Sequence, residues 1–156
     1  MNSKTYKARL INSQKKLINH TTKNGKKHKS EKVITKSLKA AQKSQRKNHG
    51  KIIKLSLLNT IPTFKIVKLT DKKRRKKSTK EIPTFVSNYK SRISLGLKYL
   101  IKTTNNLSQN KQTTFSQKFK NELLSEISSE SNANLMKTNF QTKACQEKKY
   151  FRFYRW

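Results

Sequence analysis

Apolar residues recur at helical spacing in five stretches of this chain, with a less regular sixth at the end. Leu10, Ile11, Leu17 and Ile18 predict a weak first helix from Ala8 to about Thr22. Asn24-Gly25 follows as a turn signal. A second helix is expected over His28–Gln45, with Val33, Ile34, Ser37, Leu38 and Ala41 as its inner stripe and lysines over the rest. Asn48-His49-Gly50 is expected to break it. Ile52, Ile53, Leu55, Leu57 and Leu58 then predict a short, mostly buried helix that stops before Pro62.

The pattern changes next. Two runs rich in Ile, Val, Phe and Thr, roughly Thr63–Leu69 and Lys80–Val86, read as antiparallel strands of a hairpin spanning about 63–87. Pro62 and Pro83 sit at or near the edges of these runs, where a residue without an N–H is tolerated. Lys72, Lys73, Arg74, Arg75, Lys76 and Lys77 fall near the tip, and six adjacent cations must face solvent or a polyanion.

Helical spacing resumes with Ile93, Leu95, Gly96, Leu97, Leu100 and Ile101, predicting a helix over about Tyr89–Asn105. Gly96 inside it costs ~1 kcal/mol against Ala, which points to close helix packing there. Asn105–Gln112 reads as a polar loop, and Thr113-Thr114 as the cap of a helix carrying Phe115, Phe119, Leu123 and Ile127 four apart. Ser128–Asn134 is expected to be a polar break. In the last segment, Leu135–Trp156, the residues expected to face inward are Leu135, Ala144, Phe151 and Phe153. The fold class is therefore mainly α: a bundle of about six helices with one protruding β-hairpin arm. Residues 1–7 are expected to be a flexible basic tail and 8–156 a single domain.

Charge changes what this bundle is for. Lys plus Arg number 39 against 7 Asp plus Glu, a net charge of +32, while apolar residues are only 31%. Such a chain repels itself, has a thin core, and calls for a large polyanion, RNA or DNA first. Only seven cations are Arg, so most of the charge is the point-like lysine ammonium suited to phosphate. The abundance of Lys, Asn, Ile, Phe and Tyr, with little Gly, Pro, Ala or Arg, is the usage of AT-rich codons and hints at an organelle genome or an AT-rich nucleus. The basic, acid-poor N-terminus would suit a transit peptide too, but its helical spacing keeps it in the mature protein. No apolar run approaches the ~18 residues of a membrane span.

Enzymatic chemistry finds little support. His20, His28 and His49 lack ligand spacing, Cys145 is the single cysteine, and three glycines build no phosphate-binding loop. Glu122, Glu126 and Glu130 fall four apart on one face of the fifth helix. That face could hold Mg²⁺, but a salt-bridged or protein-contacting face is favoured. The binding candidates are cationic. A basic run can be a solvated loop or an import signal; between two strands, Lys72–Lys77 favours a finger laid on phosphates. Lys23, Lys26, Lys27 and Lys29 surround the Asn24-Gly25 turn, and phosphate contact is again favoured over plain exposure. Lys80, Lys90 and Arg92 would extend the basic surface along the hairpin and its base. Arg152, Arg155 and Trp156 close the chain, where core packing and stacking on RNA both remain open.

Several local patterns then line up in one order. They are Leu17-Ile18-Asn19 before Asn24-Gly25-Lys26-Lys27, Leu58-Asn59-Thr60-Ile61-Pro62-Thr63, Glu81-Ile82-Pro83-Thr84-Phe85-Val86 and Leu95-Gly96-Leu97-Lys98-Tyr99-Leu100-Ile101, followed by Asn121-Glu122-Leu123 and Phe151-Arg152-Phe153-Tyr154-Arg155-Trp156. Over about residues 15–156 this resembles the small-subunit ribosomal protein S-seven family. Departures include Phe153 where the family commonly has His, a longer basic run in place of Gly-Gly at the finger tip, and Lys137-Thr138-Asn139 where the last helix usually opens on a charged stretch. The resemblance implies a helical bundle with a hairpin arm that binds the 3′ major domain of small-subunit rRNA and organises assembly of the head. It also implies a place near the exit-site tRNA and the mRNA path, with ribosomal protein S-eleven among neighbouring head proteins. No cofactor is expected beyond Mg²⁺ bound to the rRNA, and no homo-oligomer. Divergence and composition favour the mitochondrial ribosome of the matrix over a plastid one. The rival readings are a DNA-compacting, histone-like protein and a cationic protein of membrane surfaces, which would need a broader apolar helix face than any here.

Overall fold

The computed structural model describes residues 13–70, 79–106 and 113–147. Six helices and one two-stranded antiparallel sheet make up the described residues. Helix α1 covers residues 13–21, α2 is Lys27–Gln45 and α3 is His49–Thr60. Strands β1 (Phe64–Thr70) and β2 (Thr79–Phe85) form the hairpin. Helices α4 (Tyr89–Asn106), α5 (Phe115–Ile127) and α6 (Asn132–Gln146) follow. The mainly α bundle with a hairpin arm is thus the observed architecture. The tail 1–7, with Leu10, Ile11, Phe151 and Phe153, lies outside the described residues.

Helix α5 is the centre of the packing and touches α2, α3, α4 and α6. Its Phe119 and Leu123 are fully buried, and the rings of Phe115 and Phe119 stack one turn apart at 5.9 Å. Around them close Leu17 and Ile18 from α1, Ile34 and Leu38 from α2, Ile53 and Leu57 from α3, and Leu97 and Leu100 from α4. Gln117 accepts hydrogen bonds from the backbone N–H and hydroxyl of Thr114, which fixes the start of α5.

A chain this poor in apolar residues fills its interior partly with hydroxyls. Ser37, Ser56, Thr60, Thr103 and Thr104 are all buried. Each donates to a carbonyl one turn back, such as Thr104 to Leu100 at 2.7 Å and Ser37 to Val33 at 2.8 Å. The burial penalty of an unpaired hydroxyl is thereby avoided.

These hydroxyls explain one departure from expectation. The inner stripe of α3 is Ile52, Ile53, Ser56, Leu57 and Thr60, so Leu55 and Leu58 fall on the outer face and are exposed. Asn48-His49-Gly50 does not break the chain as a unit either. The break is the left-handed Arg46 (φ 50°), and Asn48 caps α3 by accepting from the Gly50 N–H. The polar break at 128–134 is shorter than expected. Ser131 caps α6, whose inward positions are Ala133, Phe140 and Ala144; Leu135, off that stripe, is 58% exposed.

The hairpin pairs Phe64 with Phe85 at its base and Thr70 with Thr79 farthest out. Val86 N donates to Thr63 O, so alternate pairs from there (65/84, 67/82) are the hydrogen-bonded ones. Pro83 faces Ile66 at a non-hydrogen-bonded pair, where its absent N–H would have pointed away from β1. Lys68 and Glu81 form a cross-strand ion pair at 3.1 Å.

Candidate nucleic-acid interface

The base of the hairpin is locked to the start of α4. Arg92 donates from Nε to the Val86 carbonyl, and its guanidinium lies 4.8 Å from the Phe85 ring centroid. That ring meets Phe64 edge-on at 6.0 Å. Arg92 is half-buried, so its planar group works inward, orienting the arm, rather than standing clear on the surface. Asn88 caps α4 by accepting from the Lys90 N–H at 2.9 Å, and Lys90 is exposed.

Beside this joint runs a groove of about 360 Å³ between α1, β1 and α4. Lys16, Lys65, Lys90 and Lys98 supply its charge, and Ser91 and Ser94 add hydroxyls. Lys16 Nζ donates to the Lys90 carbonyl at 3.3 Å, tying α1 to the first turn of α4. Past Lys98 a second cavity, of about 380 Å³, opens between α1 and the far end of α4. Its walls are His20, Lys98, Ile101, Lys102, Asn105 and Asn106. Burial holds the His20 imidazole below its ordinary value, helped by the charges of Lys98 and Lys16, so the ring is neutral at physiological pH. The two cavities share Lys98 and make one cationic track.

The turn lysines follow the C-terminal end of α1. Asn24 (φ 52°) and Gly25 (φ 71°) are both left-handed and reverse the chain, leaving Lys23, Lys26, Lys27 and Lys29 exposed. Lys80 lies on β2 opposite Leu69. Lys72–Lys77, Arg152, Arg155 and Trp156 lie outside the described residues. Sequence reasoning missed Lys16, Lys65, Lys98 and Lys102, because nothing in the spacing says that α1, β1 and α4 share a face.

The acidic row on α5 divides. The helix ends at Ile127, so Glu130 lies beyond it and is exposed. Glu122 is buried and accepts from the Ala133 N–H at 3.1 Å, anchoring the first turn of α6. Glu126 is wholly buried, and neither carboxylate oxygen has a hydrogen-bond partner. Burial, and then Glu122, push its pKa up to about 7 against the pull of Lys137. Lys137 Nζ donates to the Asn59 carbonyl at 2.7 Å, while Asn59 Nδ2 donates to the Glu126 carbonyl at 2.7 Å. This knot of α3, α5 and α6 is a protein-contacting face. Among the described residues, no group of three His, Cys, Asp or Glu could hold a metal, and no helix is long and apolar enough to cross a membrane.

Comparison with known proteins gives one family. The family described as Ribosomal protein S7p/S5e matches residues 1–148. A search of curated proteins returns no match.

Proposed function

The chain belongs to the ribosomal protein S7p/S5e family, and from that premise we propose how this member does its work. As a family member it is a structural constituent of the small ribosomal subunit and binds small-subunit rRNA. Its part in translation is architectural rather than catalytic.

The observation that carries the mechanism is the cationic track from the hairpin base to the end of α4. In this reading, Lys65, Lys90, Lys16 and Lys98 neutralise phosphates of rRNA helices in the 3′ major domain. Lys23, Lys26, Lys27 and Lys29 meet a second segment at the α1–α2 turn. The arm, with Lys72–Lys77 and Lys80, and the terminal Arg152, Arg155 and Trp156 extend the contact. Ammonium groups of this kind position RNA without reading its sequence, so specificity comes from RNA shape. Holding several rRNA helices at fixed separations is what organising head assembly requires.

The finer placement belongs to the same proposal. One copy sits in the head, beside ribosomal protein S-eleven and near the exit-site tRNA and the mRNA path. The AT-rich residue usage and the departures from the family pattern support a mitochondrial ribosome. Mg²⁺ in the complex belongs to the rRNA.

Co-sedimentation of a tagged chain with small subunits in high salt tests this reading. The expected result is recovery with the mitochondrial small subunit and crosslinks from Lys16 and Lys98 to its rRNA. Recovery in the RNA-free soluble fraction overturns it. Equal affinity for duplex DNA and structured rRNA in competition would favour the DNA-compacting alternative.

A further inference from the structure

We propose that the cavity between α1 and the far end of α4 is a pocket for one unpaired nucleotide of the bound RNA. The base lies against His20 and Ile101, the amides of Asn105 and Asn106 meet its edge, and Lys98 and Lys102 hold the flanking phosphate. The proposal rests on the RNA-binding reading above and adds a site that charge alone does not imply.

The composition of the walls carries the argument. A site built for bare phosphate would present cations all round. This one places its two lysines together on α4 and gives the remaining walls to an imidazole, an aliphatic side chain and two carboxamides. Imidazole faces and aliphatic surfaces receive the flat of a base. Carboxamides offer a donor and an acceptor, which is what a base edge presents. The volume, about 380 Å³, admits a nucleobase with room for its sugar.

His20 suits stacking for a further reason. It is half-buried, so its ring is held in place, and burial, helped by Lys98 and Lys16, keeps it neutral. The charged groups facing it are Lys16 on its own helix and Lys98 on α4, with Lys102 farther along the wall. Position matters as well. The cavity continues the lysine groove through the shared Lys98, so a strand whose phosphates follow the groove arrives with its next base at the opening. Paired bases are already stacked and cannot enter, so the ligand is a single-stranded loop, bulge or end.

The test uses the full chain and a short adenosine ribo-oligonucleotide carrying a central 2-aminopurine, whose fluorescence reports stacking of that base. A second probe has the same backbone with the central base removed. Wild-type protein should bind the intact probe about tenfold tighter than the abasic one, in line with one base stacked on a side chain. His20→Ala should lose that advantage and the fluorescence change, while keeping the salt dependence. His20→Phe, which restores a flat face, should regain both, and this separates loss of stacking from loss of folding. Lys98→Ala should weaken both probes alike.

Equal affinity of wild type and His20→Ala for the intact probe, with no abasic penalty, overturns the pocket and leaves the RNA-binding reading intact. Absence of salt-sensitive binding to any RNA, a structured rRNA transcript included, overturns that parent reading instead.

Discussion

Glu126 is the residue whose environment differs most from what its letter suggests. In the sequence it is one of three glutamates four apart, a row that favours a salt-bridged or protein-contacting face but does not say which member is buried. It is buried where α3 and α6 close over the end of α5, with Asn59 bonded to its carbonyl and Lys137 bonded to Asn59. Its consequence is a pH effect of definite sign. The folded-state pKa, about 7, lies above the ordinary 4.5, so folding favours the protonated carboxyl. The stability it contributes is complete below pH 4.5 and is lost as pH rises through 7. At pH 8 the ionised group costs about 3–4 kcal/mol, from ~1.4 kcal/mol per pKa unit over the rise from 4.5 to about 7. Glu126→Gln should therefore stabilise the protein by about that much at pH 8 and by little at pH 4.5. Urea unfolding of both proteins across this range measures it; parallel curves would contradict the assignment.

At the scale of elements, most of the bundle was legible, because its stripes are long and periodic. Ile34, Ser37, Leu38 and Ala41 of the α2 stripe and Phe119 and Leu123 of the α5 row are buried as expected, Val33, Phe115 and Ile127 are half-buried, and both hairpin strands fall within a residue of their expected limits. What was not legible came from polar residues taking inward positions. Ser56 and Thr60 displaced Leu58 from the inner face of α3 because their hydroxyls are satisfied within the helix. Gly96 shows both sides of such reasoning. The Ile61 backbone does pass close by, yet a Cβ at Gly96 would meet it at 3.5 Å, an ordinary contact. Gly96→Ala should thus raise stability by about 0.5–1 kcal/mol, seen as a higher denaturation midpoint. Arg92 belongs to this scale too, since it fastens one element to another. Arg92→Ala removes the bond to Val86 and the cover on Phe85, and should cost about 1–2 kcal/mol. Faster hydrogen exchange in β1 and β2, with α5 unchanged, would locate the loss at the joint.

For the whole molecule, charge decides. Thirty-two net positive charges on 156 residues make the isolated chain an incomplete object, finished by phosphate. If about ten phosphates are engaged, affinity for rRNA should fall roughly 10³–10⁵-fold between 50 and 200 mM salt. A filter-binding series gives the slope directly, and a flat one would count against phosphate neutralisation. The need for a polyanion was plain from composition. The place where it lands was not, since Lys16, Lys65 and Lys98 are far apart in the chain and become neighbours only when α1 packs beside α4.

Pro83 bears on the interval between synthesis and assembly. A two-stranded arm with nothing against it would offer its rims to any other extended chain, and newly made copies would be at risk of zipping together. Helix α6 packs against both strands, Pro83 is buried and has no N–H to offer, and the exposed Lys65 on β1 repels a second copy. The arm can therefore be long enough to reach into RNA and still be a poor seed for fibrils while it waits.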